Sequence, residues 1–169
     1  MEKFELVDKN GNKTGRVITY LDTCNPNNIP DECFLPVVGV VIINHKNEIL
    51  LQKRSMLKKS NPGKWGICGG KINLGETPID AALRETLEEI GVNIEKDKIK
   101  VIREAANGKG YFIIFYIKKD IDIKECRLKN DEVEELRYFR VEELEGLDNE
   151  GFEWLDNLKK ILSENKGDH

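Results

Sequence analysis

Three glutamates, Glu85, Glu88 and Glu89, stand at i, i+3 and i+4 within Arg84-Glu85-Thr86-Leu87-Glu88-Glu89-Ile90. On a helix that spacing gathers their side chains, with Cβ atoms about 5 to 6 Å apart. Like charges so placed destabilise a bare helix by about 0.2 to 0.5 kcal/mol per pair, so helix stability gives no reason to cluster them. A hard divalent cation does. Magnesium favours carboxylate and water oxygens in an octahedron and is completed by substrate phosphates. Taken alone, the triplet reads as a solvated acidic face, because such faces are common. The stretch just upstream changes that reading: Gly69, Gly70 and Gly75 let the backbone turn tightly and approach the helix. There, carbonyl oxygens can join a cation's shell and amides can meet phosphate oxygens. Glycine loop and acidic helix together describe a cation and phosphate site.

The helix that carries the carboxylates is bounded by local signals. Thr77 is a good N-cap, Pro78 suits the first helical position, and Gly91 is placed to take the left-handed conformation that ends a helix. The helix is therefore expected over Pro78 to Ile90. Ile79, Ala82, Leu83, Thr86 and Ile90 fall on one stripe that can pack against a sheet, and the three glutamates are expected together on a different side. Around this helix the chain reads mainly as strands. Phe4 to Val7 and Gly15 to Ile18, joined through Asn10-Gly11, form a first hairpin, and Leu35 to Asn44 with Glu48 to Lys53 a second. Ile99 to Glu104, Tyr111 to Ile117 and Glu135 to Val141 read as further strands, and Phe152 to Ser163 as a closing amphipathic helix. The fold class is α+β, a mixed sheet between helices with an N-terminal hairpin extension.

At 169 residues the chain suits one domain, read as residues 31–169, with residues 1–30 as a hairpin and linker extension. Apolar residues at 39% and charged residues at 34% suit a soluble globular protein. The charged N-terminus lacks the pattern of a secretory signal, and the longest apolar run, Phe34 to Ile43, is half of what a membrane helix needs. A cytoplasmic protein with no membrane partner is expected. Cys24, Cys33, Cys68 and Cys126 form no Cys-x-x-Cys pair, and only His45 and His169 are available as imidazoles, so a structural zinc site is not expected. A net charge of −4 argues against a nucleic-acid polymer as partner.

Gly70, five residues, Glu76, seven residues, then Arg84 through Val92 resembles the Nudix box of the MutT-type hydrolase family. One position departs: after Arg-Glu the family usually has an aliphatic residue, and here it is Thr86. The resemblance implies an α/β/α sandwich and a magnesium-dependent hydrolase, with manganese as a substitute, that cleaves a diphosphate bond in a small molecule. Glu85, Glu88, Glu89 and the carbonyl of Gly69 would hold the metal, and Glu85 or a neighbour would take the proton of the attacking water. Arg84 would orient Glu85, Glu76 would support the cluster, and Gly70 and Lys71 would face the substrate. Many relatives add an acid from a later loop, for which Glu132 is the candidate; an acidic loop exposed to water is the other reading. Arg54 matches a phosphate-binding arginine of relatives, and its planar fork suits phosphate. Trp65 either stacks on a base or covers the core, and the core is the expectation.

Val7-Asp8-Lys9-Asn10-Gly11 and Leu50-Leu51-Gln52-Lys53-Arg54 through Pro62-Gly63-Lys64-Trp65 also resemble isopentenyl-diphosphate isomerases, in which a cysteine near Cys68 is catalytic. That chemistry needs a proton donor and acceptor on opposite faces of an alkene and a histidine-rich metal site. Neither histidine lies near the box, and Cys68 is followed by Gly69-Gly70. The reading is therefore an isomerase-like N-terminal extension on a hydrolase. A non-catalytic nucleotide-binding module would be expected to lose box carboxylates, and none is lost. The hairpin could also support a homodimer.

Overall fold

Leu35–Ile43 is apolar at every position except Gly39, and the main sheet is arranged about it. The computed structural model describes residues 1–147 and 151–165. Its strands are β1 Lys3–Val7, β2 Lys13–Thr19, β3 Leu35–Ile43, β4 Ile49–Arg54, β5 Trp65–Gly66, β6 Cys68–Lys71, β7 Lys100–Asn107, β8 Gly110–Lys118 and β9 Val133–Phe139. The helices are α1 Tyr20–Thr23, α2 Pro78–Ile90, α3 Val141–Glu145 and α4 Trp154–Asn165. Strand β3 runs parallel to β8 over its whole length, from Leu35 opposite Gly110 to Ile43 opposite Lys118, and β7 closes that side antiparallel to β8.

Alternation along β3 and β8 builds two cores. Val38, Val40, Ile42, Ile113, Phe115 and Ile117 pack on one face with Ala81, Ala82 and Ile90 of α2. Val41, Ile43 and Ile114 pack on the other with Phe139, Leu144 and, from α4, Trp154, Leu155 and Leu158. A strand covered on both faces reads as a continuous apolar run, which is why β3 shows no polar alternation. The result is the expected α/β/α sandwich. Among the described residues no helix is long and apolar enough to cross a membrane.

The second hairpin differs from expectation. Its turn forms, with Asn44 Oδ1 accepting from the amides of Lys46 and Glu48, but β3 and β4 pair only at Ile43 and Ile49. Beyond that pair β4 peels away to form its long ladder with β9, from Ile49 opposite Phe139 to Arg54 opposite Val133. The wedge is closed by residues 65–71. These pair first with β4, at Gln52 and Lys53, and then with β3, at Val37 to Val40. The stretch read as a glycine loop is therefore largely a strand. Gly69 allows it: a Cβ there would lie 2.1 Å from the carbonyl oxygen of Val38. Shorter shifts occur elsewhere. Val141 opens α3 instead of ending β9, because Arg140 and Glu143 cap that helix.

The first hairpin docks through its own small core, Phe4 and Leu6 against Ile29, Cys33 and Leu35. It also reaches the segment before α2, where the amide of Leu74 donates to the carbonyl of Lys3 at 2.8 Å. A Cβ at Gly11, in the hairpin turn, would strike the ring of Tyr111.

Gly69→Ala should lower unfolding free energy by about 1 to 3 kcal/mol in urea titration, the usual cost of overpacking. Gly66→Ala, where a Cβ meets nothing within 4 Å, should stay within about 0.5 kcal/mol of the parent.

Candidate active site

Helix α2 begins and ends on local chemistry. Thr77 Oγ1 accepts from the amide of Asp80, Pro78 takes the first position, and Gly91 at φ 73° donates to the carbonyl of Leu87. Thr86, at the position usually aliphatic, is fully buried and satisfies its hydroxyl by donating to the carbonyl of Ala82 at 2.8 Å. Its methyl then serves the apolar stripe.

The glutamates do not share one environment, contrary to the expectation from their spacing. Glu88 is exposed, with 48% of its side chain accessible, whereas Glu89 is only 6% exposed and belongs with the buried side of the helix. The wedge between β4 and β6 receives it: Glu89 Oε2 accepts from Gln52 Nε2 of β4 at 3.0 Å and from the amide of Gly69 of β6 at 3.3 Å. Behind them the Cys68 thiol donates to Gln52 Oε1 at 3.0 Å. The sequence reading passed over Gln52. Its signal was an amide side chain interrupting the apolar run Ile49-Leu50-Leu51.

Arg84 organises the other two carboxylates. Its Nε and Nη2 grip Glu76 at 2.8 and 3.0 Å, Nη2 also reaches the carbonyl of Lys71 at 3.1 Å, and Nη1 is shared by Glu85 at 2.9 Å and Glu88 at 3.3 Å. Glu76 in turn accepts from the amide of Asn73, which fastens the segment before α2 to its first turns. Gly70 makes room for Glu85: a Cβ there would lie 2.4 Å from the carboxyl carbon.

Electrostatics follow from this packing. Burial pushes the Glu89 carboxyl up to about 8, with the charges of Glu85 and Glu132 adding to the rise against the Gln52 and Gly69 hydrogen bonds. Burial also raises Glu85, where Arg84 opposes the shift and Glu88 and Glu132 reinforce it. Glu76 goes the other way: burial would raise it, but Arg84 and the Asn73 amide hold it below the usual carboxylate range. Arg84 is pushed up by its hydrogen bond to Glu76, so it stays charged. Burial first, then the charge of Glu89, raises the Cys68 thiol well above its ordinary value.

Glu132 is brought in from the later loop by the main chain of α2 itself. The amide of Lys129 donates to the carbonyl of Glu89, that of Arg127 to the carbonyl of Ile90, and Glu132 bonds back to Lys129. Its carboxylate sits 3.2 Å from Lys129 Nζ and 3.9 Å from Lys58 Nζ. Arg54 is held by the loop that follows it. Its Nε and Nη2 are engaged by the Ser60 carbonyl and hydroxyl, and with Gln52, Asn61, Lys64 and Trp65 it lines a cleft of about 300 Å³. Trp65 meets Phe139 edge-on at 5.0 Å and lies under Arg137, so its ring is both core and cleft wall. Lys71 departs from expectation. Its ammonium rests over the rings of Tyr20 and Phe4, at 5.2 and 5.9 Å, while only its carbonyl joins the Arg84 cluster.

Among the described residues no three acidic, histidine or cysteine side chains converge as a ready metal cage. The donor chemistry nonetheless fits a hard divalent cation. The set is all oxygen, and Glu85 and Glu89 both hold protons more tightly than ordinary carboxylates, first because they are buried and then because negative charge is concentrated around them. A cation offsets that concentration, and magnesium tolerates few protein ligands because it keeps several waters.

A mixed sheet between helices, split to admit an acidic helix against a glycine strand, defines a Nudix domain, and the NUDIX domain profile matches residues 34–158. The chain belongs to the Nudix hydrolase family. It is 32% identical over 152 residues to an uncharacterised Nudix hydrolase of Listeria monocytogenes, a match covering 89% of this chain and 87% of that one. Two solved structures share the fold. The DR0079 protein of Deinococcus radiodurans has a TM-score of 0.68 at 20% identity, covering 85% of this chain and 86% of that one. The NUDIX domain of Shewanella oneidensis NrtR, complexed with ADP ribose, has a TM-score of 0.65 at 18% identity, covering 85% and 96%.

The raised Glu89 gives a pH signature in chelator. Its folded-state affinity for a proton exceeds the unfolded one, so the folded chain binds more protons between the ordinary glutamate range and about 8. Stability therefore falls as pH rises through that window and levels above it. Urea midpoints at pH 5, 6.5 and 8 should show this decline, and Glu89→Gln should flatten it.

Proposed function

We propose that this protein is a magnesium-dependent hydrolase of a diphosphate bond, in a nucleoside diphosphate linked to another moiety or a related organic diphosphate. The observation that carries the reading is the paired arrangement at α2: Arg84 gripping Glu76, Glu85 and Glu88, and Glu89 sunk in the sheet wedge beside Gly69. Glu85, Glu88, Glu89, Glu132 and the Gly69 carbonyl would hold the cation, magnesium or manganese. Bound there, it would neutralise phosphate charge and make water a better nucleophile near neutral pH.

The chain's own groups supply the rest. Glu85 is the proton acceptor, since burial raises its basicity toward the range a general base needs while Arg84 fixes its orientation. Gly70 leaves the space in which that carboxylate sits. Arg54 and Lys64, on the wall of the cleft that Gln52 shares with the carboxylate cluster, meet the phosphate or sugar beyond the cleaved bond. Cys68 does not suit the isomerase alternative: it is buried, and its proton is committed to Gln52. We place the enzyme in the cytoplasm, where its four free cysteines would stay reduced.

Phosphate and pyrophosphate release should be screened over nucleoside triphosphates, nucleotide sugars, dinucleotides and isopentenyl diphosphate, with magnesium and with chelator. Magnesium-dependent release from one of these classes is expected. Double-bond migration in the prenyl sample, with no release anywhere, would replace the hydrolase reading. Glu88→Gln and Glu89→Gln should each lower turnover at least about a hundredfold without lowering the melting temperature. Full turnover in both would remove the cation assignment.

A further inference from the structure

Gln52 stands between two groups of opposite demand. Ionised, as it must be to hold a cation, the Glu89 carboxylate only accepts hydrogen bonds, so the amide must turn its NH2 end toward it, and Nε2 lies 3.0 Å from Glu89 Oε2. Its oxygen then faces Cys68, whose sulfur is 3.0 Å away and must donate. Turned the other way, the amide would set its oxygen against a carboxylate and its NH2 end against a thiol that accepts only weakly. Carboxylate and buried thiol together fix the direction of the amide.

A second feature gives that direction a consequence. Among the described residues, both hydrogen bonds to the Glu89 side chain, from Gln52 and from the Gly69 amide at 3.3 Å, fall on one oxygen, Oε2. Oε1 is left over. Gln52 lies on β4, which parts from β3 at the wedge, and Gly69 on β6, which pairs with β3, so the carboxylate is held from both sides.

We propose that Gln52 is a positioning residue for the metal site, holding Glu89 so that it engages a divalent cation through Oε1, with the Cys68 thiol locking the amide that does so. This rests on the cation reading above and extends it to two residues outside the Nudix box. Partners that orient a metal-binding carboxylate commonly change metal affinity by about 10- to 100-fold when removed. Gln52→Leu removes the donor. Gln52→Asn keeps an amide but is one methylene too short to span both contacts.

The test uses the full chain and Mn2+ alone as probe, with free Mn2+ counted by electron paramagnetic resonance and melting temperature recorded for each variant. Glu89→Gln, Gln52→Leu and Gln52→Asn should each weaken Mn2+ binding about tenfold or more. Cys68→Ser, which keeps a donor, should bind like the parent, and Cys68→Ala should fall between the parent and Gln52→Leu. If Gln52→Leu does not fold, Gln52→Asn decides. Parent-like affinity in the folded Gln52 variants beside a weakened Glu89→Gln overturns the proposal and leaves the cation reading standing. Parent-like affinity in Glu89→Gln as well removes both. Equal, parent-like affinity in Cys68→Ala and Cys68→Ser overturns the locking role of the thiol.

Discussion

The early divergence of β4 from β3, after the single pair Ile43 and Ile49, is the constraint on which the site depends. Two strands that part leave backbone and side-chain polar groups without ladder partners, and buried groups of that kind are costly unless satisfied. Residues 65–71 cross the gap and pair with both strands in turn. What remains at the crossing is a narrow polar niche bounded by Gln52 and the Gly69 amide, and Glu89 fills it. A carboxylate there gives the niche its acceptor and receives two donors in return, though two neutral donors do not offset the loss of water around a charge. The remaining strain shows as the raised proton affinity of Glu89.

Arg84 is the counterweight, and its capacity is finite. A guanidinium has five N–H donors, and five contacts are drawn on them: two from Glu76, one from the Lys71 carbonyl, and one each from Glu85 and Glu88. Glu76 takes the bidentate share, which with the Asn73 amide holds it below the ordinary carboxylate range against the effect of burial. Glu85 and Glu88 divide a single nitrogen. One positive charge thus faces three carboxylates, with Glu89 a fourth behind them. A lysine could not replace this fork, since an ammonium is a point charge with three donors. The geometry fixes the acids in place while leaving them short of positive charge.

Much of α2 was legible because its signals are local. Thr77, Pro78 and Gly91 act within a turn of themselves, and each stands where the sequence placed it. The apolar character of β3 and β8 and the sandwich they imply were legible for the same reason. Partner choice was not. A continuous apolar run says that a strand is covered on both faces but not which strand lies beside it, so adjacency suggested a β3–β4 hairpin where β8 and β6 hold most of the ladder. The two glycines before the helix read as a loop for a related reason. Their missing side chains answer to the Val38 carbonyl and to Glu85, groups far off in sequence. Helical spacing put Glu85 and Glu88 where they share Arg84 but could not say that Glu89 would turn inward, since that depends on a niche created by strands elsewhere.

The N-terminal hairpin shows how widely the site's rigidity is distributed. Its small core of Phe4 and Leu6 is anchored on Ile29, Cys33 and Leu35, and Leu35 is the first residue of β3. With α1 it holds the end of β6 and the segment beyond it at two points, through the Lys3 carbonyl on the Leu74 amide and through Phe4 and Tyr20 beneath Lys71. Lys71 is thereby used in two directions, its side chain fastened to the extension and its carbonyl to Arg84. On the opposite side the Lys129 amide takes the Glu89 carbonyl and carries Glu132 toward the same acids. The helix with the carboxylates is thus fixed at its entrance by the extension and at its exit by the later loop. Arg84, itself anchored through the Lys71 carbonyl and Glu76, orients Glu85 from a segment that the extension holds in place.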